Sequence, residues 1–266
     1  MKRNAAIGLF DSGVGGLSVA VEIYRQMPAE STVYYGDTAH VPYGPRSAEE
    51  LTRFTKRITD FLQGQGVKYI IAACNTSSSM CLPVLKESCK VPIIGLIEPG
   101  VKEALSKTVN GKIGVIATEA TIRSGAYEHG LKKLGKDIEV YSQAAPRLVP
   151  LVETGRTDTY EVTEALREYL SPLQKAGIDT LILGCTHYPF LARQIEEELG
   201  PGVRLVDPAL ATVRAAKEEL CRLGLAINGV SPVSHCFYVS GRPDAFRAAA
   251  VRFLKKDIGP VKQVIL

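Results

Sequence analysis

The sequence predicts an α/β protein made of two pseudo-symmetric domains, each with a mainly parallel sheet, and a cleft between them. Three observations carry this reading. Short apolar runs bounded by glycine or polar residues alternate with helical stretches, and such runs are the mark of strands buried on both faces, as in parallel sheets. One run occurs twice, as Tyr69-Ile70-Ile71-Ala72-Ala73-Cys74-Asn75-Thr76 and as Leu181-Ile182-Leu183-Gly184-Cys185-Thr186-His187. The lead-ins Gly66-Val67-Lys68 and Gly177-Ile178-Asp179 match, and both the glycines and the cysteines of the two copies stand 111 residues apart. Finally, Ile113-Gly114-Val115-Ile116-Ala117-Thr118 mirrors Ile7-Gly8-Leu9-Phe10-Asp11-Ser12, so the pattern restarts at Lys112. Together these describe a diverged duplication.

The elements follow in order. A strand over 5–10 ends in Asp11-Ser12-Gly13-Val14-Gly15-Gly16 and a helix occupies 17–26. The loop imitates a dinucleotide fingerprint, but Ser18 stands where the third glycine belongs and Asp11 puts a carboxylate where a pyrophosphate would lie. The loop is better suited to aim an acidic side chain and backbone N–H groups at a small polar ligand; Asp11 as a helix N-cap is the rival reading. A strand at 32–35 leads to Val41-Pro42-Tyr43-Gly44-Pro45, a loop stiffened by proline that can hold Tyr43 and the Gly44 backbone against a ligand. Ser47 and Glu50 form a capping box for a helix over 48–64, with Leu51, Phe54, Ile58 and Leu62 on one face. The strand ending at Cys74 follows, then a strand at 91–96, a crossing between domains near Glu98, and a helix at 101–108.

In the second half, strands at 113–118 and 139–142 and a helix at 159–175 lead to the strand ending at Cys185. Thr118 at a strand tip, and Thr121 one turn on, are its candidates for substrate contact. A helix at 189–199, a strand at 203–206 and a return crossing at Asp207-Pro208 come next. A helix at 209–223, a loop at 228–234 and a strand at 235–239 complete the chain. The expected domains are 1–97 plus 207–266, and 98–206.

Composition narrows the function classes. Apolar residues make up 45% and charged residues 23% of 266 positions, with a net charge of +4, as in ordinary globular proteins. Basic doublets such as Lys132-Lys133 and Lys255-Lys256 read as solvated helix faces, so nucleic-acid binding is not expected. No apolar run reaches the length of a membrane span. Asp11 interrupts the first apolar stretch, which argues against a signal peptide and for the cytoplasm. The cysteines at 74, 81, 89, 185, 221 and 236 contain no C-x-x-C pair, so neither a zinc site nor a dithiol redox motif is expected.

A lone buried cysteine is usually core filler. Two at equivalent strand ends are another matter, because ligands of open α/β sheets bind beyond the carboxyl ends of the strands. Thiols ionise at modest cost, and a pair supplied from opposite sides suits a reaction that takes a proton from one face of a carbon and returns one to the other. An amino-acid α-carbon is such a centre, and a pseudo-symmetric site treats mirror-image substrates alike. In this reading Asp11 binds the substrate ammonium. Ser12, Asn75, Thr76, Thr186 and the Tyr43-Gly44 backbone hold carboxylates by neutral hydrogen bonds. His187 polarises Cys185 and Glu153 orients His187.

Asp11-Ser12-Gly13-Val14-Gly15-Gly16-Leu17, Tyr35-Gly36-Asp37, Pro42-Tyr43-Gly44, Ala73-Cys74-Asn75-Thr76, Pro150-Leu151-Val152-Glu153 and Gly184-Cys185-Thr186-His187-Tyr188-Pro189 resemble the glutamate racemases of the aspartate/glutamate racemase family. The resemblance spans essentially the whole chain, and aspartate racemisation is the nearest alternative chemistry. It implies a cofactor-independent interconversion of L- and D-glutamate, a D-glutamate product used for bacterial peptidoglycan, and a homodimer. It also implies that Cys74 and Cys185 are the two bases. Asp11, Ser12, Tyr43, Gly44, Asn75, Thr76, Thr186 and His187 would touch substrate, and Asp11, Glu153 and His187 would assist proton transfer.

Overall fold

Two wholly parallel sheets frame the chain. The computed structural model describes residues 2–227, 229 and 232–266. The first half runs β1 (Ile7–Asp11), α1 (Leu17–Gln26), β2 (Thr32–Gly36), α2 (Ala48–Gly64), β3 (Tyr69–Ala72), α3 (Asn75–Met80), α4 (Leu82–Ser88) and β4 (Ile93–Gly95). Helix α5 (Ile97–Lys107) leads to β5 (Lys112–Ala117), α6 (Glu119–Arg123), α7 (Ala126–Leu134), β6 (Glu139–Ala144), α8 (Leu148–Glu153), α9 (Tyr160–Ala176) and β7 (Thr180–Gly184). A 3-10 turn at Tyr188–Leu191, α10 (Ala192–Leu199) and β8 (Arg204–Val206) follow. The chain ends with α11 (Pro208–Arg222), β9 (His235–Val239), α12 (Pro243–Leu254) and β10 (Val261–Gln263).

The strand orders make the duplication explicit. The larger sheet is β10-β9-β2-β1-β3-β4 and the smaller is β6-β5-β7-β8. Removing β10 and β9 from the first leaves β2-β1-β3-β4, the same arrangement as β6-β5-β7-β8. Each thiol-bearing strand therefore lies beside the strand that opens its half, with Phe10 opposite Ala72 and Ala117 opposite Gly184. Every residue of β1, β3 and β7 is buried, because helices cover both faces of each sheet. Successive side chains point to opposite faces, so Ile7 and Leu9 join one core and Phe10 the other.

Helix α2 shows how local sequence and packing agree. Ser47 Oγ accepts from the Glu50 N–H, and Glu50 reaches back to the Ser47 N–H, a cap worth about 1 kcal/mol. Leu51, Ile58 and Leu62 are buried against Phe10 and Ile70. Truncating Leu51 to alanine removes packing worth about 3 kcal/mol.

Several features differ from the sequence reading. Helix α5 begins at Ile97, so Glu98 lies in its first turn and the crossing is a helix; Pro99 is tolerated there because the first turn needs no N–H from it. Helices α3, α4, α6 and α8 and strand β10 lie in stretches to which the sequence reading gave no element, while α7 contains, and α12 ends beside, the Lys132-Lys133 and Lys255-Lys256 doublets read as helix faces. The expected helix at 189–199 starts as a 3-10 turn containing Pro189. The N-cap of α1 is Gly16, not Asp11. Of the loop expected at 228–234, residues 228, 230 and 231 lie outside the described residues.

Candidate active site

The turns after β1, β3, β5 and β7 converge on one cavity of about 160 Å³, with Cys74 and Cys185 both in its wall. Ser12, Tyr43, Gly44, Asn75, Thr76, Thr118, Thr186 and His187 line it too. It is smaller than a drug-sized pocket, and Pro42, Pro45, Pro146 and Val149 also line it. Among the described residues no lysine or arginine lines it, and Glu119 is the one acidic residue in the wall. A carboxylate entering here meets hydroxyls, an amide and backbone N–H groups.

The glycine loop after β1 exists to let the halves approach. A Cβ on Gly15 would stand 2.5 Å from Thr186 Oγ1 and 2.7 Å from His187 Nδ1, and one on Gly16 would stand 2.6 Å from Asp11 Cβ. Asp11 itself is fully buried behind the wall. Its Oδ2 accepts from the N–H groups of Gly13 (3.1 Å) and Gly16 (3.0 Å), and its Oδ1 accepts from Thr186 Oγ1 at 3.3 Å. The Thr186 hydroxyl thus stands between the Asp11 carboxylate and the cavity, whose wall includes Thr186. Burial pushes the Asp11 carboxyl up, against the lowering pull of His187 and the two N–H donors.

Cys185 sits at the end of a relay. Its Sγ is 3.6 Å from His187 Nδ1, and His187 Nε2 is 2.7 Å from Glu153 Oε1. An ionised carboxylate only accepts, so Nε2 carries a proton. Nδ1 is then free to take the thiol proton or, in the imidazolium, to donate to a thiolate. Burial alone would lower the His187 pKa, but the Cys185 and Glu153 contacts outweigh it and raise the imidazolium well above its ordinary range. Burial likewise opposes ionisation of Glu153, yet the hydrogen bond and charge of His187 hold it below the usual carboxylate range.

Cys74 has a different setting. It is the N-cap of α3, and burial together with the Asp11 carboxylate pushes its thiol up. A thiolate formed there is a strong base, because the same burial that makes it scarce makes it hold a proton tightly. Asn75 accepts a 2.5 Å hydrogen bond from Tyr127 at Oδ1, while its buried Nδ2 has no partner among the described residues. Thr76, Thr118 and Thr121 close a hydroxyl triangle across the cleft, with Oγ1 separations of 3.0 Å (76–118), 3.3 Å (76–121) and 3.0 Å (118–121). Thr121 stands behind Thr118 in this triangle.

Tyr43 lines the cavity but its hydroxyl is committed: it donates to Asp37 Oδ2 at 2.6 Å, and Asp37 Oδ1 is held by Ser240 and His40. Sequence reasoning quoted Asp37 within a motif but gave it no role; it also missed Tyr127, Glu119, Pro146 and Val149. Asp37 and Tyr127 reach the cavity wall through hydrogen bonds to Tyr43 and Asn75, 6 and 52 residues away. Among the described residues no group of three or more His, Cys, Asp or Glu side chains is placed to hold a metal ion, and no helix is long and apolar enough to cross a membrane.

Residues 12–216 match the family model described as Asp/Glu/hydantoin racemase. A glutamate racemase of Desulforudis audaxviator (strain MP104C) is 52% identical over 266 residues, covering 98% of this chain and 97% of that protein. The crystal structure of a glutamate racemase isoform from Bacillus anthracis superposes with a TM-score of 0.94 at 40% identity, covering 100% of this chain and 98% of the other. That of the glutamate racemase from Francisella tularensis subsp. tularensis SCHU S4, solved in complex with D-glutamate, gives a TM-score of 0.91 at 36% identity over 100% and 98% of the two chains.

Proposed function

This chain belongs to the Asp/Glu/hydantoin racemase family, and we propose that it interconverts L- and D-glutamate with Cys74 and Cys185 as the two bases. One observation supports this above all: two thiols at equivalent positions of a duplicated fold share one small cavity. The 52% identity to a glutamate racemase over nearly the whole of both chains favours glutamate over aspartate.

The chemistry balances without an external reagent. With L-glutamate bound, the Cys185 thiolate takes the α-proton and becomes a thiol, while the Cys74 thiol gives its proton to the opposite face and becomes a thiolate. The assignment of Cys185 to the L-enantiomer rests on family resemblance alone. D-glutamate leaves, and the reverse reaction, or exchange of protons with water, resets the pair. His187, held by Glu153, stabilises the Cys185 thiolate. Thr186 donates to Asp11, which leaves the Thr186 oxygen's lone pairs to accept from the substrate ammonium; Asp11 thereby acts through Thr186. The ammonium also offsets the cost of a thiolate in so dry a site. Ser12, Asn75, Thr76 and Thr118 supply neutral donors to the carboxylates, with the Gly44 backbone and the Tyr43 ring closing the wall.

In the same reading the halves 1–97 plus 207–266 and 98–206 are separate domains whose relative movement opens the cavity. The enzyme works in the cytoplasm as a homodimer, needs no cofactor, and provides D-glutamate for peptidoglycan. Circular dichroism on L-glutamate, with protein dialysed against a chelator, tests it: the signal should decay to zero as the racemate forms, and L-aspartate should remain unchanged. An undiminished L-glutamate signal, or activity restored only by an added metal or pyridoxal phosphate, would refute it.

A further inference from the structure

The hydroxyl of Tyr127 is the feature of the cleft that the mechanism above does not use. Tyr127 opens α7 in the second half and is 3% exposed. Its ring is seated over two glycines: a Cβ on Gly184 would stand 3.2 Å from Cε2, and one on Gly100 would stand 3.4 Å from Cε1. From this seat the hydroxyl crosses to the first half and donates to Asn75 Oδ1 at 2.5 Å. Asn75 follows Cys74 directly and lines the cavity, and its Nδ2 is buried with no partner among the described residues.

An amide side chain can present either end, and its neighbours decide which. Burial, with Asp207 and Cys185 nearby, pushes the Tyr127 phenol well up, so it keeps its proton. A donor at this position pairs with Oδ1 and turns Nδ2 away from itself. A buried amide donor left without a partner is destabilising, and a ligand carboxylate would relieve it.

We propose that Tyr127 is a positioning residue for glutamate racemisation: its hydroxyl fixes the Asn75 amide so that Nδ2 presents a donor to a substrate carboxylate beside Cys74. This rests on the glutamate racemase reading. It also makes the donor conditional on closure, because Tyr127 and Asn75 come from opposite halves.

The test is a cycle of Tyr127→Phe, Asn75→Ala and the double variant, with kcat and KM for both enantiomers. Tyr127→Phe keeps the ring and removes only the hydroxyl. It should raise KM about tenfold, the value of one well-placed hydrogen bond, with a smaller change in kcat. It should cost nothing further when Asn75 is already alanine. A KM within twofold of wild type, or losses that multiply in the double variant, would overturn the proposal. If Tyr127→Phe does not fold, Asn75→Ala decides alone: its KM should rise by a similar factor, and an unchanged KM is disproof. The Asn75 side-chain amide signal of the unliganded protein, read by NMR, should shift in Tyr127→Phe; a signal that stays put refutes the contact. That readout needs no turnover, whereas a wild type that fails to racemise glutamate refutes the underlying reading.

Discussion

Replacing Glu153 by glutamine isolates the relay behind Cys185. The change removes one charge and keeps the side chain's shape. The bond lost or weakened is the 2.7 Å contact with His187 Nε2. His187 is 2% exposed and the Glu153 side chain 22%, so solvent screens the pair little. A hydrogen bond to a charged group is worth about 1.5–3 kcal/mol; glutamine's carbonyl retains part of it, so a loss of roughly tenfold to hundredfold in kcat/KM is expected. The loss must be equal for L- and D-glutamate. The enantiomers are equally stable, so detailed balance ties the two values of kcat/KM together even though Glu153 serves only one thiol. The carboxylate is also among the contacts that raise the His187 pKa. Without it the imidazolium gives up its proton at lower pH, and the thiolate loses its counter-charge near neutrality. The deficit should therefore shrink as pH rises into the range where the wild-type imidazolium gives up its proton too. Polarimetric rates for both enantiomers from pH 6 to about 9.5, spanning the ordinary His and Cys ranges, provide the check. Activity within twofold of wild type across that range would refute the relay.

Two further outcomes follow from particular residues. Asp207 is half-buried, and the loss of solvent around it pushes its carboxyl up to about 6, so the folded protein binds its proton more tightly than the unfolded chain does. Stability from this group is present below the unfolded value of 3.8 and is lost as pH rises through about 6, by about 3 kcal/mol at most. Asp207→Asn, which can still cap α11, should therefore gain stability over wild type between pH 4 and about 7 in urea titrations; a difference independent of pH would contradict this. With glutamate bound in a crystal, the two sulfurs should lie on opposite faces of the α-carbon and about 6–8 Å apart, twice the reach of a proton transfer; sulfurs on one face, or well over about 10 Å apart in a closed form, would rule out two-base transfer.

The legible part of this protein was the part held by local pattern. Buried runs such as 69–72 and 180–184 announce strands through composition alone, and their repetition announced the two thiols. Helix α3 was illegible because Asn75, Thr76, Ser77, Ser78 and Ser79 are poor helix formers whose side chains compete for the backbone. Tertiary contacts hold it instead: Ser78 Oγ donates to the Ala72 carbonyl and accepts from the Leu96 N–H. Tyr127 was illegible for a different reason. Its role depends on a contact across the cleft that no spacing encodes, and α7 carries no motif. Asp11 was legible as important but not as buried, because the sequence shows the glycine loop without showing that Gly13 and Gly16 fold back onto the carboxylate.

Hydrogen exchange at the α-carbon tests the two-base account most directly. In deuterated water Cys74→Ala should abolish racemisation in both directions yet still exchange the α-hydrogen of L-glutamate, because Cys185 can remove and return a proton on its own face. Cys185→Ala should do the same for D-glutamate only. Near-normal racemisation by either variant would contradict the mechanism, and exchange of the opposite enantiomer by each would reverse the assignment of the two thiols.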